Sequence, residues 1–187
     1  MVRWEPDARR RLEEAASSLY AERGFENTTV AEIAERAGLT ERTFFRHFAD
    51  KREVLFAGST AFVDVITDAV AGAPSSLAPI DAVAAGFEAV GPNLLDVEAA
   101  RQRQRIIGSN PELQERELSK LAALSVAIAR ALQGRGLDEA GASLTAEIGI
   151  AIFRVAFERW IDESNDLPYS KVVRKSFDEA KAVAAPA

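Results

Sequence analysis

The stretch Thr28-Thr29-Val30-Ala31-Glu32-Ile33-Ala34-Glu35-Arg36-Ala37-Gly38-Leu39-Thr40-Glu41-Arg42-Thr43-Phe44-Phe45-Arg46-His47-Phe48-Ala49-Asp50-Lys51 decides how this chain folds. Thr29-Val30-Ala31-Glu32 has the form of a capping box, in which the Thr hydroxyl and the Glu carboxylate satisfy each other's orphan backbone donors at a helix start. Val30, Ile33, Ala34 and Ala37 then recur at helical spacing until Gly38, and Thr40 caps a further helix carrying Phe44, Phe45 and Phe48. Isolated helices shorter than about 12 residues are marginal in water, so tertiary packing must hold this pair. Ala34 and Gly38 allow close approach at the turn, while Ile33, Leu39, Phe44 and Phe48 offer an apolar underside to Leu12, Leu19 and Tyr20 of a preceding helix. This is a helix-turn-helix pattern.

Outward from that core the chain reads as helix throughout. Leu12, Ala15, Ala16, Leu19 and Tyr20 form one stripe of a first helix that opens at Pro6-Asp7 and stops at Gly24. Asp50-Lys51-Arg52-Glu53 is another capping box, expected to open a long fourth helix through Val54, Leu55, Phe62, Val65, Ile66 and Ala69 to Gly72 and Pro74. After a small-residue linker, helices are expected from about Ile80 to Val90 and from about Asp96 to Gly108. Asn110-Pro111 starts another, ending near Gly134 or Gly136. Asp138 caps a helix to about Glu163, and the last follows Pro168-Tyr169-Ser170 to about Ala184. No strand pattern, repeat or low-complexity block interrupts the series. The expected fold is all-α, with an N-terminal three-helix helix-turn-helix domain over residues 1–52 and a larger helical domain over 53–187.

Composition narrows the chemistry. The 187 residues include no Cys and one His, which excludes disulfide scaffolds, thiolate metal sites, cysteine nucleophiles and any site needing two imidazoles. No Gly-x-Ser-x-Gly motif or carboxylate-rich metal pattern appears, so neither an enzyme nor a cofactor is expected. The longest charge-free stretch, Ala69 to Ile80, contains two prolines and falls short of the roughly 18 apolar residues that suggest a membrane span. The N-terminus shows no apolar signal region, which makes the cytoplasm the expected compartment. The net charge of −6 argues against a nucleic-acid partner until it is divided. Residues 1–52 hold ten basic and ten acidic side chains, so the whole excess of acid lies beyond residue 52. A neutral head can still present a basic face.

In a helix-turn-helix the second helix lies in the DNA major groove, its N-terminal residues toward base edges. Arg42 and Arg46 share a face of that helix, and a guanidinium can bond guanine O6 and N7 together. They are the expected base readers, with Thr43 as a base or phosphate contact. Thr40 stands where the helix start approaches a phosphate. His47, Lys51 and the amides opening the next helix are expected to grip the backbone, which positions without specifying.

The same stretch resembles the DNA-binding signature of the TetR family of bacterial transcriptional regulators, over about residues 7 to 56. The resemblance implies a homodimer, usually a repressor, that binds a palindromic double-stranded operator and is released by a small-molecule effector held in a variable C-terminal domain. Carried over position by position, Thr43, Phe45, Arg46, His47 and Lys51 fall where the family contacts DNA. Phe45 stands where Tyr is common, which removes a phenolic bond to phosphate and leaves the ring for packing. Arg42 occupies a position often small in the family and is expected to mark this chain's own operator preference. An alternative on the same fold is a DNA-tethered interaction protein that acts through a protein partner.

The rest of the chain carries no specific motif. Helix 139–163 is apolar on two sides: Leu144, Ile148, Ala151, Ile152 and Val155 on one, Ile150, Phe153, Phe157, Trp160 and Ile161 on the other. A helix with two apolar faces must bury both. The second set, with Val173 and Phe177 of the last helix, is expected at the dimer interface as part of an intersubunit four-helix bundle. Gly149 and Ala156 between the stripes would permit close helix approach. An effector pocket is expected among Phe62, Phe87, Leu94, Leu95, Ile106, Ile107, Leu121, Leu124 and Phe153. Arg101, Arg103 and Arg105 could meet an anionic ligand, but Arg101 and Arg105 pair more naturally with Glu98 and with Asp96 or solvent.

Overall fold

The computed structural model describes residues 8–91 and 95–184. The Pro6-Asp7 start of the first helix and Leu94 lie outside them. Among the described residues there are nine α-helices and one 3-10 turn, with no strand: α1 (Ala8–Arg23), α2 (Val30–Arg36), α3 (Glu41–His47), the 3-10 turn (Glu53–Phe56), α4 (Ser59–Gly72), α5 (Pro79–Glu88), α6 (Val97–Gly108), α7 (Pro111–Gly134), α8 (Glu139–Ile161) and α9 (Tyr169–Ala184). The all-α expectation holds. The caps are those the sequence announces: Thr29 with Glu32 in a reciprocal box, Thr40 accepting from the Thr43 amide, and Asp138 accepting from the Gly141 amide.

Two compact units emerge. The first comprises residues 1–58 and 101–115, the second 59–100 and 116–187. This division differs from a boundary at residue 52, and the reason is burial. Val54, Leu55 and Phe56 are all buried in the first unit's core, as are Ile106, Ile107 and Leu113. Three successive buried residues do not suit a single helical stripe, and the chain meets the demand with a 3-10 turn. Gly58 then takes φ +82°, a left-handed conformation that ends the turn before α4 begins. The long fourth helix expected from Asp50 is therefore two elements.

In the second unit α5 is central, packing against α4, α8 and α9. Both close contacts depend on glycine. A Cβ on Gly86 would lie 2.7 Å from Val70 Cγ2, and one on Gly149 would lie 2.5 Å from Val83 Cγ1, so the expected close approach at Gly149 is present. Arg174 pairs with Glu88 at 2.8 Å and Lys181 with Asp81 at 2.8 Å, tying the polar edge of α9 to α5. Helix α8 is long and apolar enough to cross a membrane by length and composition. One of its faces nevertheless lies in this unit's core: Ala142, Ala146, Gly149, Ile150, Phe153, Ala156 and Trp160 are buried.

That burial corrects the expected interface. Ile150, Phe153, Trp160, Val173 and Phe177 lie inside the unit, with Phe157 and Ile161 partly buried against the same core. Side chains already enclosed by their own chain cannot also cover a partner. The stripe left largely uncovered is the opposite one, where Ile152 is buried but Leu144, Ile148 and Val155 remain 64%, 44% and 46% exposed.

The expected pocket residues divide as well. Phe62, Phe87, Leu95, Leu121, Leu124 and Phe153 belong to the second unit's core, where the Phe87 and Phe153 rings stack at 4.6 Å. Ile106 and Ile107 are buried in the first unit.

Candidate nucleic-acid interface

The first unit is built to hold α3 rigidly by its inner side. Phe44 and Phe48 are 0% and 4% exposed and pack with Leu12, Leu19, Tyr20 and Ile33. The turn before α3 is closed by Gly38 at φ +66°, and the Arg11 guanidinium donates to the carbonyl of Ala37 beside it. A Cβ at position 38 would stand 2.8 Å from Arg11 Nη2, so a side chain there conflicts with both the backbone and the arginine. Thr40 Oγ1 accepts from the Thr43 amide at 3.2 Å and lies 3.1 Å from Thr43 Oγ1. Both expected contact threonines thus also serve to start the helix.

The charges around this scaffold are unequal in availability. Arg9 pairs with Glu13 at 3.0 Å, Arg10 with Glu14 at 2.9 Å, Arg23 with Glu32 at 3.0 Å and Arg52 with Asp50 at 2.6 Å. Arg36 clamps Glu22 with two 2.8 Å bonds. Arg11 is engaged at the turn, and Arg103 donates to the Leu55 carbonyl at 2.8 Å with its guanidinium over the Phe56 ring. Arg42 and Arg46 differ: both are exposed on α3, and neither has a partner among the described residues. A guanidinium without a carboxylate nearby keeps its donors for an incoming acceptor.

Lys51 is a correction. Its ammonium donates to the carbonyls of Phe25 at 2.8 Å, Thr28 at 3.0 Å and Glu26 at 3.4 Å, and it sits 4.2 Å from the Phe25 ring centre. An ammonium has three donors, and these carbonyls take all three. The Tyr20 hydroxyl meanwhile donates to the Lys51 carbonyl at 2.6 Å. Lys51 is a clamp on the loop between α1 and α2, turned away from the backbone-gripping role expected of it.

His47 is half-buried at the end of α3, and its Nε2 is enclosed without a hydrogen-bond partner. Burial, followed by the positive charges of Arg46 and Arg9, holds its pKa below the ordinary 6.5. The ring is therefore neutral at pH 7 in the free protein. Phe45, expected to pack, is 55% exposed. Asn110, expected from the sequence only as a helix cap, is 6% exposed. Its Nδ2 donates to Glu26 Oε1 at 2.5 Å and its Oδ1 accepts from the Leu113 amide at 3.2 Å. The Asn-Pro start of α7 was legible as a cap, but its second bond joins residues 84 positions apart, beyond any local pattern.

A short helix held from beneath, with two unpaired guanidiniums outward, makes this a helix-turn-helix protein with its second short helix free to enter a groove. Comparison with known proteins narrows the class. Residues 12–57 match the model described as bacterial regulatory proteins, tetR family, and residues 77–185, more than half of the chain, match the MftR C-terminal domain. The chain belongs to the TetR family of bacterial regulatory proteins. Among its relatives, the transcriptional regulator TcmR of Streptomyces glaucescens is 39% identical over 75 residues, which cover 40% of this chain and only 33% of TcmR. MftR of Mycobacterium tuberculosis is 27% identical over 165 residues, covering 83% of this chain and 81% of that protein. The fold is shared with SmeT, the repressor of a Stenotrophomonas maltophilia multidrug efflux pump. In its triclosan complex SmeT aligns with a TM-score of 0.66 at 20% identity, over 94% of this chain and 90% of that one.

Proposed function

We propose that this protein is a homodimeric repressor that reads a palindromic operator through Arg42 and Arg46 and is released by a small-molecule effector bound in the second unit. The observation that carries the reading is that these are the two basic side chains of the first unit, among the described residues, with no carboxylate or carbonyl partner. Thr40 and Thr43 at the start of α3 supply hydroxyls to nearby phosphates or bases. The cytoplasm, where the chromosome lies, is the compartment for such a protein.

The exposed stripe of Leu144, Ile148, Ala151 and Val155 supports dimerisation through α8. In such a dimer the α3 of each protomer would read one half-site of the palindromic operator. The triclosan complex of SmeT supports a small-molecule effector on this fold, and the aromatic core around Phe62, Phe87 and Phe153 is the proposed place for it. An effector acts by favouring the conformation that cannot span both half-sites.

The test is titration of a labelled duplex from upstream of the protein's own gene at several salt concentrations. Tight, sequence-selective binding that weakens steeply with salt supports the proposal. Equal affinity for a scrambled duplex contradicts it. Ile148→Glu would give a monomer by sedimentation and abolish tight operator binding. An intact dimer in that variant would move the interface off α8.

A further inference from the structure

Three phenylalanines lie within five residues on and beside α3, and they are treated differently. Phe44 and Phe48 are 0% and 4% exposed, whereas Phe45 is 55% exposed. Its ring stands edge-on to Phe44 at 5.5 Å and 81°, so it is braced from below and projects outward. At the 100° helical step Phe45 lies about 60° from Arg42 and about 100° from Arg46, so the ring borders the face of α3 that carries the two unpaired guanidiniums.

A large apolar ring in that place has an unfavourable exposure to water that its own chain does not relieve. What it meets on the proposed partner is constrained by chemistry. Phenylalanine has no polar atom and cannot bond a phosphate, which also excludes the role a tyrosine hydroxyl would have here. The one sizeable apolar group on the major-groove edges of the bases is the C5-methyl group of thymine. Guanines read by Arg42 and Arg46 would bring neighbouring base edges against the ring.

We propose that Phe45 is a specificity-determining residue that recognises thymine through its C5-methyl group, beside the guanine contacts of Arg42 and Arg46. The inference rests on the DNA-binding reading above. Side chains three and four apart on a helix lie about 5–6 Å from one another, and successive base pairs are about 3.4 Å apart. Each half-site therefore carries a thymine adjacent to an arginine-read guanine or one base pair removed from it. The Phe45 ring reads a hydrocarbon, and the arginines read hydrogen-bond acceptors.

The experiment uses the full chain. A sequence is selected from a random duplex library with the unaltered protein, and each thymine of the selected duplex is then replaced singly by deoxyuridine, which removes only the methyl group. One thymine per half-site is expected to be methyl-dependent, with affinity falling about fourfold for one methyl and about 15-fold when both half-sites are changed. Phe45→Ala is expected to bind thymine and uracil duplexes equally, and Phe45→Leu to retain part of the difference. The proposal is overturned if no thymine shows methyl dependence, or if Phe45→Ala shows the same loss as the unaltered protein. In either case an enriched sequence would leave the DNA-binding reading standing. Failure to enrich any sequence overturns both.

Discussion

Replacing Lys51 by Met removes the ammonium and keeps most of the apolar stem. In the folded protein that ammonium is bound by the carbonyls of Phe25, Thr28 and Glu26 and faces the Phe25 ring. Phe25 is 4% exposed and Thr28 is 1% exposed, so water cannot readily replace the lost donor at those residues. Charge-assisted hydrogen bonds contribute about 1.5–3 kcal/mol each, and a cation over a ring contributes about 0.5–2 kcal/mol. Allowing for the longest of the three bonds and for partial exposure, the net cost is about 3 kcal/mol. In a chain of this size that lowers Tm by roughly 6–12 °C. The assay is thermal melting without DNA, paired with the salt dependence of duplex binding at a temperature where both proteins are folded. The clamp predicts a large fall in Tm and an unchanged salt slope. An unchanged Tm with a salt slope flatter by about one unit would show Lys51 bound to phosphate and refute the reasoning.

Two further outcomes follow from packing and charge. Gly149→Ala places a Cβ against Val83, which is fully buried and has nowhere to move. A helix-propensity gain of about 1 kcal/mol is outweighed by about 3 kcal/mol of overpacking, whereas Gly134→Ala meets nothing within 4 Å. Melting should show the first destabilised and the second neutral or stabilised, and equal shifts would discredit the close α5–α8 contact. His47, the chain's one histidine, has its pKa held below the value it takes when unfolded. Between those two values the unfolded chain binds more protons, so this contribution to stability is present above about pH 6.5 and is lost as pH falls through the window. His47→Gln should flatten that part of the Tm-against-pH curve, and an NMR titration placing the folded pKa above 6.5 would reverse the argument.

The legible parts of this molecule are those in which a local group satisfies a local need. Thr29 with Glu32, Thr40 and Asp138 each hold a helix start within three residues, and all were readable from spacing alone. Arg42 and Arg46 were readable because they share a helix face, although their lack of partners depends on where Glu22, Glu32 and Asp50 direct their carboxylates. Gly58 was missed because Val54 and Leu55 fit a helical stripe as well as they fit a 3-10 turn. For α8 the sequence displayed two apolar faces and no means of ranking them. Which one α5 covers depends on Val83 meeting Gly149. Lys51 resembled a phosphate contact by its place after α3, and only the inward carbonyls of residues 25–28 reveal the clamp. Ile106 and Ile107 carried no mark of the core they would join, because that choice is made by residues about 50 to 95 positions away.

The central claim is that the two unpaired guanidiniums of α3 carry sequence discrimination. Its most direct test is the ratio of affinities for the selected duplex and a scrambled one, measured at fixed salt for the unaltered protein, Arg42→Ala and Arg46→Ala. Loss of a bidentate guanine contact costs about 1–3 kcal/mol of discrimination, so each variant should lower the ratio by about 5- to 150-fold with Tm unchanged. If affinity for both duplexes instead fell together and the ratio survived, the arginines would be phosphate contacts and the account would be wrong.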